Sequence, residues 1–234
     1  MYPYMGSRFN FDPTIFILIP AILFTMYAQF KVTSTTSRYL KVNTHRGYTG
    51  EMTARRILDN NGLYDVRIEM VNGRLSDHYD PRRKVVRLSQ DIYYGTSITS
   101  VAVASHECGH AIQHAKGYVP LQLRSTLVPV VNFASNISWF LIMLGFFFTR
   151  GPYLKIGILL FSASVLFQII TLPVEFNASS RAIAQMGNLG IVEDKEISQS
   201  RSVLTAAAMT YVAAALTSVL QLLRLVAISQ RNND

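Results

Sequence analysis

Four stretches without any charged side chain set the strongest limit on how this chain can fold. No Lys, Arg, Asp or Glu occurs in four runs of 18, 25, 19 and 22 residues, at 13–30, 125–149, 156–174 and 202–223. A helix needs about 20 predominantly apolar residues to cross the hydrocarbon core of a bilayer. The sequence therefore predicts four transmembrane helices and an integral, multi-pass protein in contact with a lipid bilayer.

The charge composition fits this reading and argues against a nucleic-acid partner. Charged residues make up 15% of the chain, whereas soluble domains contain about a quarter. The net charge of +8 comes largely from basic residues around the predicted spans, and no nucleic-acid-binding motif accompanies it. We expect the first run to be a retained anchor, because it lacks the basic leading segment and the cleavage site of a signal peptide.

The polar segment between the first two spans carries helix and strand signals. Thr49 is a predicted helix N-cap, and Asn61-Gly62 is the stop signal of that helix. Strands are predicted at 66–71 and 84–88, with turn signals at Asn72-Gly73 and Asp80-Pro81. A last helix is predicted from about 97 to 116. A segment of this size buries little surface by itself, so we expect it to pack against the membrane helices.

A five-residue motif in that last helix points to metal chemistry. The motif is His106-Glu107-Cys108-Gly109-His110, an H-E-x-x-H pattern. Two histidines four positions apart on a helix project from one face and can hold one Zn²⁺ ion. Glu107 is then the candidate general base, while Cys108 is expected to point away from the metal.

Two histidines do not complete a catalytic zinc site, which has three protein ligands in most cases. His114 lies another turn along the helix, too far along the axis because each turn rises ~5.4 Å. The metzincin pattern fails, since it requires Gly and His where this chain has Gln113 and Lys116.

Glu175, directly after the third charge-free run, is the better candidate for the third ligand. The chain leaves the motif helix, crosses the membrane and returns, so Glu175 emerges on the same face as the histidines. Ser179, one helical turn further, could orient a ligand.

The residues around these positions resemble a known family. The runs 105–113 (SHECGHAIQ) and 171–179 (TLPVEFNAS), with 75–81 (LSDHYDP), are similar to the membrane-bound neutral zinc metallopeptidases of bacteria, the YugP type. The run Glu175-Phe176-Asn177-Ala178-Ser179 is more distantly similar to the E-x-x-A-D element of HtpX-like membrane peptidases. That resemblance implies Glu175 as the third zinc ligand, while Ser179 stands where those proteins have Asp.

The family's gluzincin-like character leaves two further roles open. The strand at 84–88 would be an edge strand over the zinc cleft that pairs with substrate backbone, or would merely complete a two-stranded sheet. His78 could stabilise the oxyanion opposite the zinc, or it could be a solvated turn residue. Tyr79, Tyr94 and Tyr118 are alternatives for the oxyanion role.

These observations predict a mainly α membrane protein with four transmembrane helices and a small α+β zincin-like catalytic domain between helices 1 and 2. The function predicted is a zinc-dependent endopeptidase acting on membrane or membrane-proximal proteins. The alternative is a non-catalytic zinc-binding membrane scaffold or regulator, although such a protein would not need the base Glu107. The predicted segments are 1–30 (N-terminal segment and first span), 31–126 (cytoplasmic domain), 127–149 and 154–175 (second and third spans), 176–201 (cytoplasmic segment) and 202–228 (fourth span).

The distribution of basic residues predicts which side of the membrane carries the site. Segment 31–126 contains 14 basic and eight acidic residues, and several basic residues lie close to its membrane-facing ends. Basic flanks mark the cytoplasmic side. We therefore expect a protein of the bacterial plasma membrane whose active site faces the cytoplasm and whose termini lie outside.

Cysteine labelling of intact cells tests this orientation. In a Cys108→Ala background, a cysteine at Asn232 should react with a membrane-impermeant reagent, and a cysteine at Ser76 should not. The two positions are on opposite sides of the membrane if the positive flanks lie inside. The reverse labelling pattern would place the site outside the cell and rule out cytosolic substrates.

Overall fold

The computed structural model describes residues 13–73, 76–147 and 151–231. Residues 1–12 of the predicted first segment, Leu75 of the family-like run and Asn232 lie outside the described residues. After a 3-10 turn (Pro13–Leu18), the elements are α1 (Ile19–Tyr39), α2 (Gly50–Asn60), β1 (Arg67–Val71), β2 (His78–Asp80), β3 (Val85–Ser89), α3 (Gln90–Tyr93), α4 (Ile98–Ala115), α5 (Val119–Phe147), α6 (Gly151–Asn188) and α7 (Asp194–Arg231).

Within the described part of the chain, four helices are long and apolar enough to cross a membrane, as the sequence predicts. They lie within Pro13–Tyr39, Val119–Phe147, Pro152–Asn188 and Asp194–Arg231. Each is longer than its charge-free run, because a helix can continue into the polar region once it has left the apolar layer. Large apolar side chains on their outer faces are exposed, including Phe133, Trp139 and Leu159, as expected of surfaces that contact lipid.

The four long helices pack as an open row. α5 packs on α6, α6 on α7, and α7 on α1. α1 and α5 stand at the two ends of the row. Among the described residues, these two helices form no packed interface of similar extent. The row is therefore open between these two helices.

Residues 40–118, between α1 and α5, form a polar domain that shares its core with the membrane helix α6. Ile57 of α2, Val86 of β3 and Cys108 of α4 lie in one buried cluster, together with Met186 near the end of α6 and Ile191 just beyond it. The part of α6 that extends past the membrane thus fills a core that this small domain could not close alone.

Local signals position the helices of this domain. The Thr49 side chain accepts a hydrogen bond from the Met52 N–H at 3.1 Å, and Ser97 caps α4 through the Ser100 N–H at 3.0 Å. Such caps satisfy backbone donors that have no partner within the helix. The helix starts predicted from sequence are confirmed.

The sheet has three described strands, one more than the sequence predicts. Their order is β1-β3-β2, with β3 parallel to β1 and antiparallel to β2. The prediction missed β2 because its three polar residues are followed by a turn, which Asp80 stabilises by accepting the Arg82 and Arg83 N–H groups. The strand exists because it pairs with β3, which local sequence does not reveal.

This order corrects the prediction that strand 84–88 is an edge strand. It corresponds to β3, which is paired on both sides and lies in the centre of the sheet. Four of its five residues are buried, as expected for a strand covered on both faces. β2 pairs with β3 and lies at one edge of the described sheet.

α4 crosses α6 at very short range through Gly109. A Cβ atom added to Gly109 would lie 2.5 Å from the backbone oxygen of Ala178. Contacts this short do not occur between real atoms of these types, so any larger residue would force the helices apart. The glycine in the HECGH motif is therefore required by packing.

We expect Gly109→Ala to destabilise the protein, with Gly187→Ala as its control. Both glycines are helical, but a Cβ at Gly187 would only touch the Ile197 side chain at 3.5 Å. Overpacking should lower the free energy of unfolding of Gly109→Ala by an amount toward the upper end of ~1–3 kcal/mol. Gly187→Ala should raise the free energy of unfolding by up to about 1 kcal/mol, because Ala has the higher helix propensity. Thermal unfolding in detergent measures both. A melting temperature unchanged in Gly109→Ala would contradict the close crossing.

Candidate metal centre

Three side chains that the sequence singles out converge in the structure. His106 Nε2 lies 3.2 Å from Glu175 Oε2, and His110 Nε2 lies 3.6 Å from the same oxygen. The candidate ligand atoms of these three residues all lie within 4.8 Å of one another. α4 provides the two histidines and α6 provides the carboxylate.

This group of donors fits a zinc ion. Ligand atoms held tetrahedrally at about 2.0–2.1 Å from zinc are about 3.4 Å apart, close to the 3.2 and 3.6 Å separations found. Two imidazole nitrogens and one carboxylate oxygen also form a donor set of catalytic zinc sites that leave a fourth position open.

Hydrogen bonds at the far side of each imidazole fix its orientation. Ser179 Oγ lies 3.2 Å from His106 Nδ1, and Gln113 Oε1 lies 3.0 Å from His110 Nδ1. With Nδ1 engaged in this way, each Nε2 turns toward Glu175. The structure thus places Ser179 where the sequence predicted a group that orients a ligand.

The sequence did not predict the role of Gln113. This residue is buried, and its amide nitrogen donates to Val174 O at 2.8 Å and to Asn177 Oδ1 at 3.0 Å. Asn177 Oδ1 also accepts from Arg181 Nε at 2.7 Å. The amide is held so that its oxygen faces His110. The spacing of three residues from His110 on one helix face was the available signal.

Arg124 is a second residue whose role the sequence missed. Its Nη1 lies 2.8 Å from Glu175 Oε1, while the Glu175 side chain is only 2% exposed. A buried carboxylate is costly unless it is paired. Arg124 occupies one carboxylate oxygen and leaves the other directed toward the histidines. In the sequence, Arg124 is only one of the basic residues near the membrane-facing ends of segment 31–126.

The electrostatics of His110 reflect the same carboxylates. Burial lowers the pKa of His110, but Glu175 and Glu107 oppose this, and the pKa lies above its ordinary value. Metals bind the neutral imidazole, so protonation competes with metal binding at this residue.

Glu107 and Cys108 face different surroundings. Glu107 is buried and lines a cavity of about 630 Å³ together with His106, His110 and Glu175. Cys108 lies in the apolar core, with Sγ 3.6 Å from Ala54 O, and burial raises its pKa. Cys108 thus points into the core of the domain, as expected for a residue that points away from the metal.

His78 lies on β2, and its contacts are with polar groups of the sheet. Its Nδ1 is 2.7 Å from Ser76 O, and its Nε2 is 3.4 Å from Arg87 Nη1. Arg87 in turn pairs with Glu69 and Asp80. The residue borders the cavity, but none of these contacts supports the oxyanion role that the sequence left open for His78.

The three tyrosines predicted as alternatives lie in different places. Tyr79 lines the cavity, and its hydroxyl is 2.9 Å from His114 Nδ1. Burial, with the nearby Asp65 and Asp80, raises the pKa of Tyr79 to about 12. Tyr94 and Tyr118 are not among the cavity-lining residues. The sequence overlooked Tyr211 of α7, which lines the cavity on the membrane side.

Comparison with known proteins identifies the family. Residues 14–230 match the family described as "Putative neutral zinc metallopeptidase". The chain belongs to this family. It is 52% identical over 220 residues to the "Putative membrane protease YugP" of Bacillus subtilis (strain 168), covering 94% of this chain and 98% of that protein. No solved structure matches the chain. The more distant resemblance to HtpX-like peptidases stays a prediction.

Ser179→Ala tests the orienting hydrogen bond, with Ser180→Ala as its control. Removing the partner of a ligating histidine weakens metal binding by about 10–100-fold in most sites, so we expect a loss of zinc affinity in that range. Ser180 is exposed one residue away, and its replacement should leave affinity unchanged. Competition with a chromophoric chelator measures both. Equal affinities in the two variants would show that Ser179 does not orient His106.

Proposed function

We propose that this protein is a membrane-integrated, zinc-dependent endopeptidase that hydrolyses peptide bonds of membrane or membrane-proximal proteins. His106, His110 and Glu175 hold the metal in this proposal, and Glu107 is the catalytic base. The observation that carries the proposal is the convergence of two Nε2 atoms and one carboxylate oxygen beside Glu107, in a cavity next to the membrane helices.

The chain's own groups have distinct tasks in this reaction. Zinc, when bound, acts as a Lewis acid toward the scissile carbonyl and lowers the pKa of water to about 7. Glu107 takes a proton from the attacking water and passes it to the amine that leaves as the C–N bond breaks. Ser179 and Gln113 keep the imidazoles in place, and Arg124 keeps Glu175 Oε2 directed at them.

The edge of the sheet offers a way to bind substrate backbone. Among the described strands, β2 pairs with β3 alone, and all three β2 residues line the cavity that contains Glu107. An extended peptide could add to this edge through main-chain hydrogen bonds. Binding of this kind depends little on side chains, so we infer a broad sequence preference.

The cytoplasmic location of the site belongs to the same proposal. The support is the basic residues near the membrane-facing ends of segment 31–126. The return of the chain through α5 and α6 brings Glu175 to the same side as the histidines, whichever side that is. In a bacterial plasma membrane this arrangement would act on the cytoplasmic ends of membrane proteins.

Glu107→Gln separates the chemistry from metal binding. The variant keeps the size of the side chain but removes its basicity, so zinc should stay bound while peptide hydrolysis falls. A general base contributes about 10²–10⁴-fold. Zinc content by mass spectrometry and cleavage of unfolded casein would be measured on the same purified samples. Near-normal turnover in the variant would mean that another residue is the base.

Two further variants complete this experiment. Glu175→Ala should lose zinc as well as activity, whereas Glu193→Ala, at a carboxylate that is 50% exposed, should lose neither. If the wild-type protein binds one zinc ion and cleaves nothing, the proposed peptidase function is wrong. The zinc-binding scaffold or regulator would then be the better description.

A further inference from the structure

The cavity at the metal centre extends from the polar domain into the membrane-spanning part of the protein. On one side it is lined by residues 77–82 around β2. On the other it is lined by Ser125 and Val128 of α5 and by residues of α7 between Val203 and Tyr211. These positions fall inside charge-free runs 125–149 and 202–223. One continuous space therefore joins the sheet edge to the apolar layer.

The same cavity lies at the open end of the helix row. Val32 and Thr36 of α1 line it from one side, and Val128 of α5 lines it from the other. α1 and α5 are the two ends of the row and form no packed interface of similar extent in the described part of the chain. Val128 is 38% exposed. Val32 and Thr36 lie just beyond charge-free run 13–30, so the gap between α1 and α5 is at the boundary of the apolar layer. A molecule in the bilayer could reach the cavity sideways there.

The lining suits a peptide that leaves a helical conformation at the membrane boundary. Backbone without helical hydrogen bonds is tolerated at membrane depth only where protein or water supplies partners. Ser125 and Tyr211, within charge-free runs 125–149 and 202–223, bring hydroxyls to the cavity among otherwise mostly apolar side chains, and Thr36 adds one just beyond the run of α1. β2, at the edge of the described sheet, lies at the other end. The apolar part accepts side chains of a membrane span, and the polar part accepts its unwound backbone.

We propose that the substrate is the boundary segment of another protein's transmembrane helix, which enters laterally between α1 and α5 and is cut where it leaves the apolar layer. This inference rests on the proposed peptidase function and adds the substrate class and its route. A water-soluble peptide would need only the aqueous side of the cavity, and nothing in it would use the opening toward lipid or the α5 and α7 positions within the spans.

Entry can be measured without cleavage by disulfide capture. The protein would carry Glu107→Gln and Cys108→Ala and one new cysteine, at Val128 or at Val130. Both valines lie on α5, about 3 Å apart along the axis, but Val130 is 59% exposed and does not line the cavity. The probe is a single-span Leu/Ala polypeptide with a cysteine at the end of its span, reconstituted with the protein in lipid nanodiscs. We expect at least tenfold more disulfide at Val128 than at Val130.

The two possible failures are distinguishable. Equal capture at Val128 and Val130, or no capture at either, would overturn lateral entry whether or not the protein is a peptidase. Preferential capture at Val128 supports lateral entry. If zinc-loaded wild type then cleaves neither this probe nor casein, only the proposed peptidase function is contradicted.

A cross-link across the opening tests the route in the active protein. Val32→Cys and Val128→Cys, in a Cys108→Ala background, would be joined by a reducible bifunctional thiol reagent. Cleavage of the single-span probe should fall at least tenfold relative to cleavage of casein and return on reduction. A control link between Ser135→Cys and Ser164→Cys, whose hydroxyls already lie 2.6 Å apart across α5 and α6, should change neither. Loss of both cleavages in equal measure, or of neither, would overturn the route.

Discussion

The close crossing of α4 and α6 is the contact on which the metal centre depends. It is made where Gly109 meets the backbone of Ala178. His106 and His110 flank Gly109 on one helix, and Glu175 and Ser179 flank Ala178 on the other. Because the backbones approach so closely, short side chains such as Ser and Glu can reach imidazoles on the neighbouring helix. Any increase in this distance would move the candidate ligands His106 and His110 away from both Glu175 and Ser179.

The buried carboxylate of Glu175 adds an electrostatic constraint to this packing. Removing a carboxylate from water costs several kcal/mol in real proteins, and Glu175 is 2% exposed. Its oxygens are divided between Arg124 from α5 and the two histidines from α4. Three helices are thereby held to one charge, and a divalent cation would add to the compensation. These contacts hold α4 of the polar domain to α5 and α6, two of the membrane helices.

Spacing patterns in the sequence were sufficient to predict the elements that depend on neighbouring residues in the chain. The four apolar runs, the H-E-x-x-H motif and the counting of membrane crossings led to Glu175 and Ser179 at positions that the structure brings together. β2 was missed because its pairing with β3 overrides a turn-like sequence. Arg124 was missed because its partner Glu175 lies on another helix, and spacing along one helix cannot show which polar groups meet across an interface. Tyr211 was missed because it reaches the cavity from α7, far along the chain from the motif. Gln113 lies on the same helix as His110, but its amide is held by Val174 O and Asn177 Oδ1 of α6.

The position of the cavity connects the chemistry with the membrane. Hydrolysis needs water and a polar centre, whereas a transmembrane substrate is stable only while its backbone is hydrogen-bonded within the apolar layer. A site deep in the bilayer would have to bring water in, and a site far from it would have to pull the substrate out. Here Glu175, the candidate ligand on α6, lies directly after the charge-free run of that helix, and the cavity continues from the candidate metal centre along α5 and α7. In the proposed reaction, a segment unwound at the boundary would lie in the same cavity as β2, where main-chain partners would replace those lost from its helix.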